Sequence, residues 1–491
     1  MVSRRELLGK TLLGAGAAPL VFASPVVRGA SQLRPTVDAE TGLELIQLPE
    51  GFTYRSMSWT GDSMTTGGLV PDRHDGMAVV EGADESEIVL LRNHERYYAD
   101  TIEGEGVPVY DDFQLPAQVL QRVGSPLGIG GGVTGVVLRE GRFKETVPLI
   151  GGTMINCAGG PTPWGTWLTC EETSFRGSNI RLPDGSSAKD HGYVFEVPPP
   201  HLGKASGVPI KDMGFFRHEA VAIDTKTGYA YLTEDNGPNS GFYRFIPNNL
   251  ERKVGALDEG GKLSMLRVKG KANVNLTASP EGAAFDVEWA PIDDPDADPE
   301  ILNSYGNGFE NLMGQGKSGP FLQGEADGGA YFSRGEGIWE YEGRLYWIDT
   351  AGGPAGTGSV WLYDASIERL VCIYASGSED EADAIDNIAV NPVNGMIVLC
   401  EDGGGVSHPD NTLKYGCRLL IAKQPGHEVI TFAENNADLT SGVPGRPGIE
   451  AQDYRRSEWA GATFSADGQT LYANLQSPGV TFAIEGPWST L

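Results

Sequence analysis

Positive charge, paired cysteines, long apolar runs and helical periodicity are all scarce in this chain of 491 residues. Lys and Arg number 37 against 66 Asp and Glu, a formal charge of -29. Nucleic acid and anionic membrane surfaces are therefore disfavoured as partners, since each would be approached against repulsion. The five cysteines, Cys157, Cys170, Cys372, Cys400 and Cys417, are an odd number. At least one stays outside any internal disulfide, so a disulfide framework does not describe the chain. Beyond the N-terminus no segment approaches the roughly 20 apolar residues that a membrane span needs, and stable membrane association is not expected. Stretches with a 3.6-residue apolar period are nearly absent, which argues against a helical protein. There is no G-x-S-x-G elbow, so a serine hydrolase finds no support.

What the chain does have is turn chemistry. Its 68 glycines and 31 prolines break the apolar residues into short runs, which is the punctuation of strands and turns. The N-terminus, "MVSRRELLGKTLLGAGAAPLVFASPVVRGA", places Arg4 and Arg5 before an apolar segment and small residues at Ala23 and Ala30. This predicts a twin-arginine signal peptide over 1–30 and export to the periplasm or beyond, with one domain over 31–491.

A unit recurs along the chain: an acidic or polar residue, a short apolar strand, a turn, and a second strand ending in acid or amide. Instances are "HDGMAVVEGADESEIVLLRNHE", "TPWGTWLTCEE", "HEAVAIDTKTGYAYLTEDN", "GEGIWEYEGRLYWIDT", "DNIAVNPVNGMIVLCEDGGG" and "GATFSADGQTLYANLQ". Each reads as a β-hairpin, with Gly, Asn or Asp where the turn needs them. Repeated hairpins with further outer strands predict an all-β, six-bladed β-propeller with loop and short helical insertions. If these hairpins are the inner pairs of blades, Glu95, Glu171, Glu234, Asp349, Glu401 and Asn474 converge on one end of the channel. Asp75, Glu219, Glu336 and Asp386 join them from the strand starts. So many carboxylates repel one another unless cations separate them.

The cysteine in "LTCEE", Cys170, stands beside Glu171. Carboxylates alone suit hard cations such as Ca²⁺, whereas an added thiolate selects a transition metal. From the residues alone Cys170 is either such a ligand or a buried structural cysteine. For Cys400, before Glu401 in the more apolar "MIVLC", the structural reading is favoured. Other signals fail on inspection. "NLMGQGKSGP" has Asn311 where a phosphate-binding loop needs glycine, and "PIDDPDADPE" lacks the glycine and glutamate of a calcium loop.

The blocks "NCAGGPTPWGTWLTCEE", "FRHEAVAID", "YLTEDN", "GFYRFIPN", "FSRGEGIW", "WIDTAGGPAGTGSVWLYD", "DNIAVNP", "LCEDGGG" and "GATFSADGQTLYANLQSPG" together resemble the PhoX family of alkaline phosphatases, over about 75–480. The resemblance implies a six-bladed propeller, twin-arginine export and hydrolysis of small-molecule phosphomonoesters. It also implies a site with two ferric ions (Fe3+) and several calcium ions (Ca2+). By motif, Cys170 would bind iron, Glu171 would help hold calcium, Glu219 and Glu336 would be metal ligands, and Arg334 would hold the substrate phosphate. Glu234, Asp386 and Glu401 are added from the repeat register. Two alternatives share the architecture: a calcium-dependent lactonase or gluconolactonase, which needs no thiolate, and a non-catalytic propeller whose metals are structural.

Overall fold

Short apolar runs closed by side-chain turns give strands here almost throughout. The loop at 224–228 shows the logic, since Asp224 accepts from the Lys226 N–H (2.9 Å) and the Thr227 hydroxyl (2.6 Å). Asn391 likewise accepts from the Val393 N–H (3.0 Å). In the computed structural model, residues 32–114, 128–179, 185–302, 314–422 and 429–491 are described. The expected signal peptide at 1–30 lies outside them. Among the described residues the α-helix is Gly319–Ala326, capped by Ser318, whose hydroxyl accepts from the Phe321 N–H at 3.2 Å. No helix there is long and apolar enough to cross a membrane. The acidic stretch at 291–300 serves an ion-pair cluster, with Asp296 and Asp298 on Arg176 at 2.9 and 2.7 Å.

The architecture is all-β and propeller-like. The strand His74–Glu81 opens one four-stranded sheet and Trp459–Phe464 another; Asn156–Pro161 opens a three-stranded sheet and Ile385–Val390 a six-stranded one. His218–Ile223 and Gly335–Tyr341 are the two edges of a single nine-stranded sheet. Where the sequence predicts separate blades, Ala284–Pro291 pairs with Arg369–Ala375 and fuses the two outer edges. The early strand Thr53–Met57 pairs with Val480–Glu485, the last described strand, in one sheet.

The six opening strands pack one against the next, and Trp459–Phe464 returns to His74–Glu81. This ring is tight. A Cβ on Gly76 would lie 2.5 Å from the Ala158 Cα, and one on Gly337 would lie 2.9 Å from the Asn387 Cα. Within the nine-stranded sheet aromatic rings join its two halves, as Phe242 stacks on Trp347 (centroids 5.0 Å, planes 8° apart) with Phe332 edge-on to Trp347. Each such ring stabilises by roughly 1.5–3 kcal/mol on burial, which holds the inner ring rigid.

Candidate metal centre

All six inner strands carry the same local irregularity near their first residue. Pairing with the following strand skips between His74 and Met77, Asn156 and Gly159, His218 and Val221, Gly335 and Ile338, Ile385 and Ile388, and Ala460 and Thr463. A bulge at a strand end re-aims a side chain. The residues at the second position are Asp75, Cys157, Glu219, Glu336, Asp386 and Ala460. A second shared feature is a backbone hydrogen bond from just past the returning strand to the residue before the inner one. Glu95, Glu172, Asp235, Thr350, Asp402 and Gln476 donate in this way to Arg73, Ile155, Arg217, Arg334, Ala384 and Glu458, at 2.9–3.3 Å.

These positions form three groups whose donor atoms lie within 4.8 Å of one another: Cys157, Glu172 and Glu219; Glu219, Glu336 and Asp386; and Asp75, Glu95 and Glu458. Glu219 belongs to two of them. The Cys157 Sγ is 3.4 Å from Glu219 Oε1 and 3.8 Å from Asp75 Oδ1. Arg334, at a positive φ of 64°, directs Nε and Nη2 to the two oxygens of Asp235 at 3.0 and 3.2 Å. Its Nη2 is also 2.9 Å from Glu336 Oε1, an ion contact without hydrogen-bond geometry.

Burial first, and then mutual repulsion, hold the carboxyl groups of Asp75, Glu172, Glu219, Glu336 and Glu458 well above the usual range. The same causes push Asp386 to about 8, and burial pushes Glu95 to about 7. The Cys157 thiol is raised by burial, then by Asp75 and Glu219. Such a cluster must carry protons or cations. Cations fit: Glu219 Oε2 is buried with no hydrogen-bond partner among the described residues, which costs free energy unless something positive fills the gap.

Of the expected ligands, Glu219, Glu336 and Asp386 are brought together. Three others stand apart from these groups. Cys170 lies on the opposite pleat, fully buried among Leu168, Val194, Phe216 and Met265, and Cys157 is the thiol that reaches the acids. Glu171 has both oxygens occupied, Oε1 by His191 Nδ1 and the Met154 N–H, Oε2 by the Gly192 and Tyr193 N–H groups. Glu401 is held by the Arg418 guanidinium and backbone and by the Asp383 N–H. Glu234 stands outside the three groups, accepting from the Tyr243 hydroxyl at 2.6 Å and the Gly241 N–H at 3.1 Å. In three hairpins the residue that turns inward is one step later, at Glu172, Asp235 and Asp402, as a period of two requires.

The Glu171 pairing has a measurable consequence. Burial favours neutral His191, but Glu171 and Asp111 outweigh it and raise the imidazole to about 9. Against an unfolded value near 6.5, this pair stabilises fully below about pH 6.5 and loses its contribution as pH rises through about 9. Between pH 7 and 10 this contribution to the unfolding free energy of the metal-loaded protein should therefore fall. In His191→Gln that fall should be shallower, with metal content unchanged. Equal slopes in denaturant titrations of the two proteins would show that His191 is neutral.

Residues 31–146 and 112–479 match the family model described as alkaline phosphatase PhoX. The chain belongs to that family. It is accordingly an alkaline phosphatase, a phosphoric monoester hydrolase. Among solved structures, Pseudomonas fluorescens PhoX in complex with vanadate, a transition state analogue, is similar in fold. It is 15% identical with a TM-score of 0.58, over 95% of this chain and 98% of that one. The PQQ domain of pyranose dehydrogenase from Coprinopsis cinerea, 10% identical, covers 95% of this chain and 100% of its own at a TM-score of only 0.30. No curated protein matches in sequence.

Proposed function

We propose that this phosphatase is exported by the twin-arginine machinery and hydrolyses small-molecule phosphomonoesters at a funnel holding iron and calcium. The observation that carries the reading is the Cys157 sulfur among buried carboxylates, one of which, Glu219, keeps an oxygen without a partner. A thiolate beside carboxylates suits iron, so Cys157, Glu172 and Glu219 are the candidate iron ligands, with Glu336 and Asp386 sharing Glu219 next to them. The all-oxygen group of Asp75, Glu95 and Glu458 suits calcium. Export is supported by Arg4 and Arg5 ahead of their apolar segment. Six blades are supported by the six equivalent inner strands, with the nine-stranded sheet counted as two blades joined at their outer edges.

Bound cations would supply charge neutralisation and polarisation of the phosphoryl oxygens. The protein's own part is to set the approach. A phosphate ester dianion meets a chain of formal charge -29, so local sign reversal in the funnel is a condition of binding. Arg334 is pinned by Asp235 through Nε and Nη2; its partly exposed guanidinium is oriented before substrate arrives, suited to gripping equatorial oxygens.

Purified metal-loaded protein should hydrolyse an aryl phosphate, contain iron and calcium, and be inhibited by vanadate. Arg334→Ala should lower kcat/KM by about 10- to 100-fold with metals retained. A protein with calcium alone that cleaves a lactone but no phosphate ester would sink the reading, and an Arg334→Ala variant of full activity would remove the role given to that side chain.

A further inference from the structure

Arg334 is not alone in its position. The residue immediately before an inner strand, whose carbonyl accepts the shared backbone hydrogen bond, is arginine in three of six cases: Arg73, Arg217 and Arg334. They differ in what holds their side chains. Arg334 is paired with Asp235 and Glu336. Arg73 donates to Gln476 Oε1 at 2.7 Å and lies 3.8 Å from Glu95. Among the described residues, no carboxylate lies within ion-pair distance of Arg217. Its Nη2 has a long contact, 3.3 Å, to the Gly314 carbonyl.

The backbone at Arg217 is fixed on both sides. It forms a bridge with Glu172 and accepts the Asp235 N–H at 3.2 Å. Its neighbours Phe216 and His218 stack at 3.7 Å, and His218 bonds to the Gly214 carbonyl at 2.9 Å. Arg217 thus sits between Glu172, of the cysteine-containing group, and Asp235, whose side chain holds Arg334. The two arginines stand on neighbouring inner strands, one beside each of the two donor groups that share Glu219.

We propose that Arg217 is a second phosphoryl-binding arginine, gripping the same phosphate as Arg334 from the side of the cysteine-containing group. A half-buried guanidinium in so acidic a funnel, which feels the Glu172 charge but has none of the described carboxylates within ion-pair distance, has its fork of N–H donors available for an anion. Two forks on opposite sides of one phosphoryl group would orient it more strictly than one. This rests on the phosphatase reading above.

The experiment compares wild type, Arg217→Ala, Arg217→Lys and Arg334→Ala, all metal-loaded, by inorganic phosphate binding in calorimetry, iron and calcium content, and kcat and KM for an aryl phosphate. Arg217→Ala should weaken phosphate binding by about 10- to 100-fold and raise KM, with metals and melting temperature close to wild type. Arg217→Lys keeps the charge but not the fork and should recover only part of the loss. Phosphate affinity unchanged in Arg217→Ala, or lost only together with the metals, overturns the proposal and leaves Arg217 a counter-charge to Glu172. A wild type that binds no phosphate overturns the phosphatase reading as well, which separates the two failures.

Discussion

Cys157→Ser should cost the protein the iron proposed for this site and at least about 100-fold in kcat, a loss at the upper end of that caused by removing a ligand's outer partner. The argument is geometric. The Cys157 sulfur is 3.4 Å from a Glu219 oxygen and belongs to one donor group with Glu172. Its thiol is raised by burial and by the carboxylates around it, so a thiolate exists there only if a cation displaces the proton. A serine hydroxyl is harder to deprotonate still and leaves the cation underbound. The calcium proposed at Asp75, Glu95 and Glu458 should remain, because that group has no sulfur. The control is Cys170→Ser. It puts a hydroxyl among Leu168, Val194 and Phe216 and should cost about 1–3 kcal/mol of stability while iron and rate per folded molecule stay put. Elemental analysis and the visible thiolate-to-iron band decide between the two cysteines. The opposite pattern, with the band lost in Cys170→Ser and kept in Cys157→Ser, would return the ligand role to Cys170.

The strand starts were the legible part of the site. "HDG", "HEA" and "GEG" each give an acid followed by a small residue, and the small residue is there because neighbouring inner strands approach too closely for more, as at Gly76 and Gly337. "NCA" at 156–158 is the same unit with cysteine for the acid, and that likeness was the available signal for Cys157. It is hidden when the hairpin is taken to begin at "TPWG". The strand ends were less legible, because the bulge beside each inner strand shifts the facing register by one. "CEE", "TED" and "CED" contain the inward residue, but only pairing geometry says that it is the last of the three. Glu171 and Glu401 look like ligands in sequence because their partners, His191 and Arg418, are 20 and 17 residues away. The fold class was readable from turn spacing, whereas the fusion of two sheets through Ala284–Pro291 depends on strands outside the recurring unit.

Removal of the metals should destabilise the protein far more at alkaline than at acidic pH. Without cations, Asp75, Glu172, Glu219, Glu336 and Glu458 are held well above their unfolded values, Asp386 is at about 8 and Glu95 at about 7. A carboxyl whose folded pKa is raised binds its proton more tightly in the folded state. Its favourable contribution is complete below the unfolded value near 4 and is lost as pH rises through the folded one. With several such groups in one funnel, the metal-free protein should lose stability continuously from about pH 5 to 9. The loaded protein runs the other way at this site, since bound cations need the deprotonated ligands and hold them more firmly as protons leave. The gap in melting temperature between loaded and chelator-treated protein should therefore be small near pH 5 and widen steadily toward pH 9. Asp386→Asn, which removes one repelling charge from the group shared with Glu219 and Glu336, should flatten the metal-free curve while weakening the metal-loaded form. A gap of the same size at pH 5.5 and 8.5 would mean that these carboxylates do not face the cations and that the funnel is held together by other contacts.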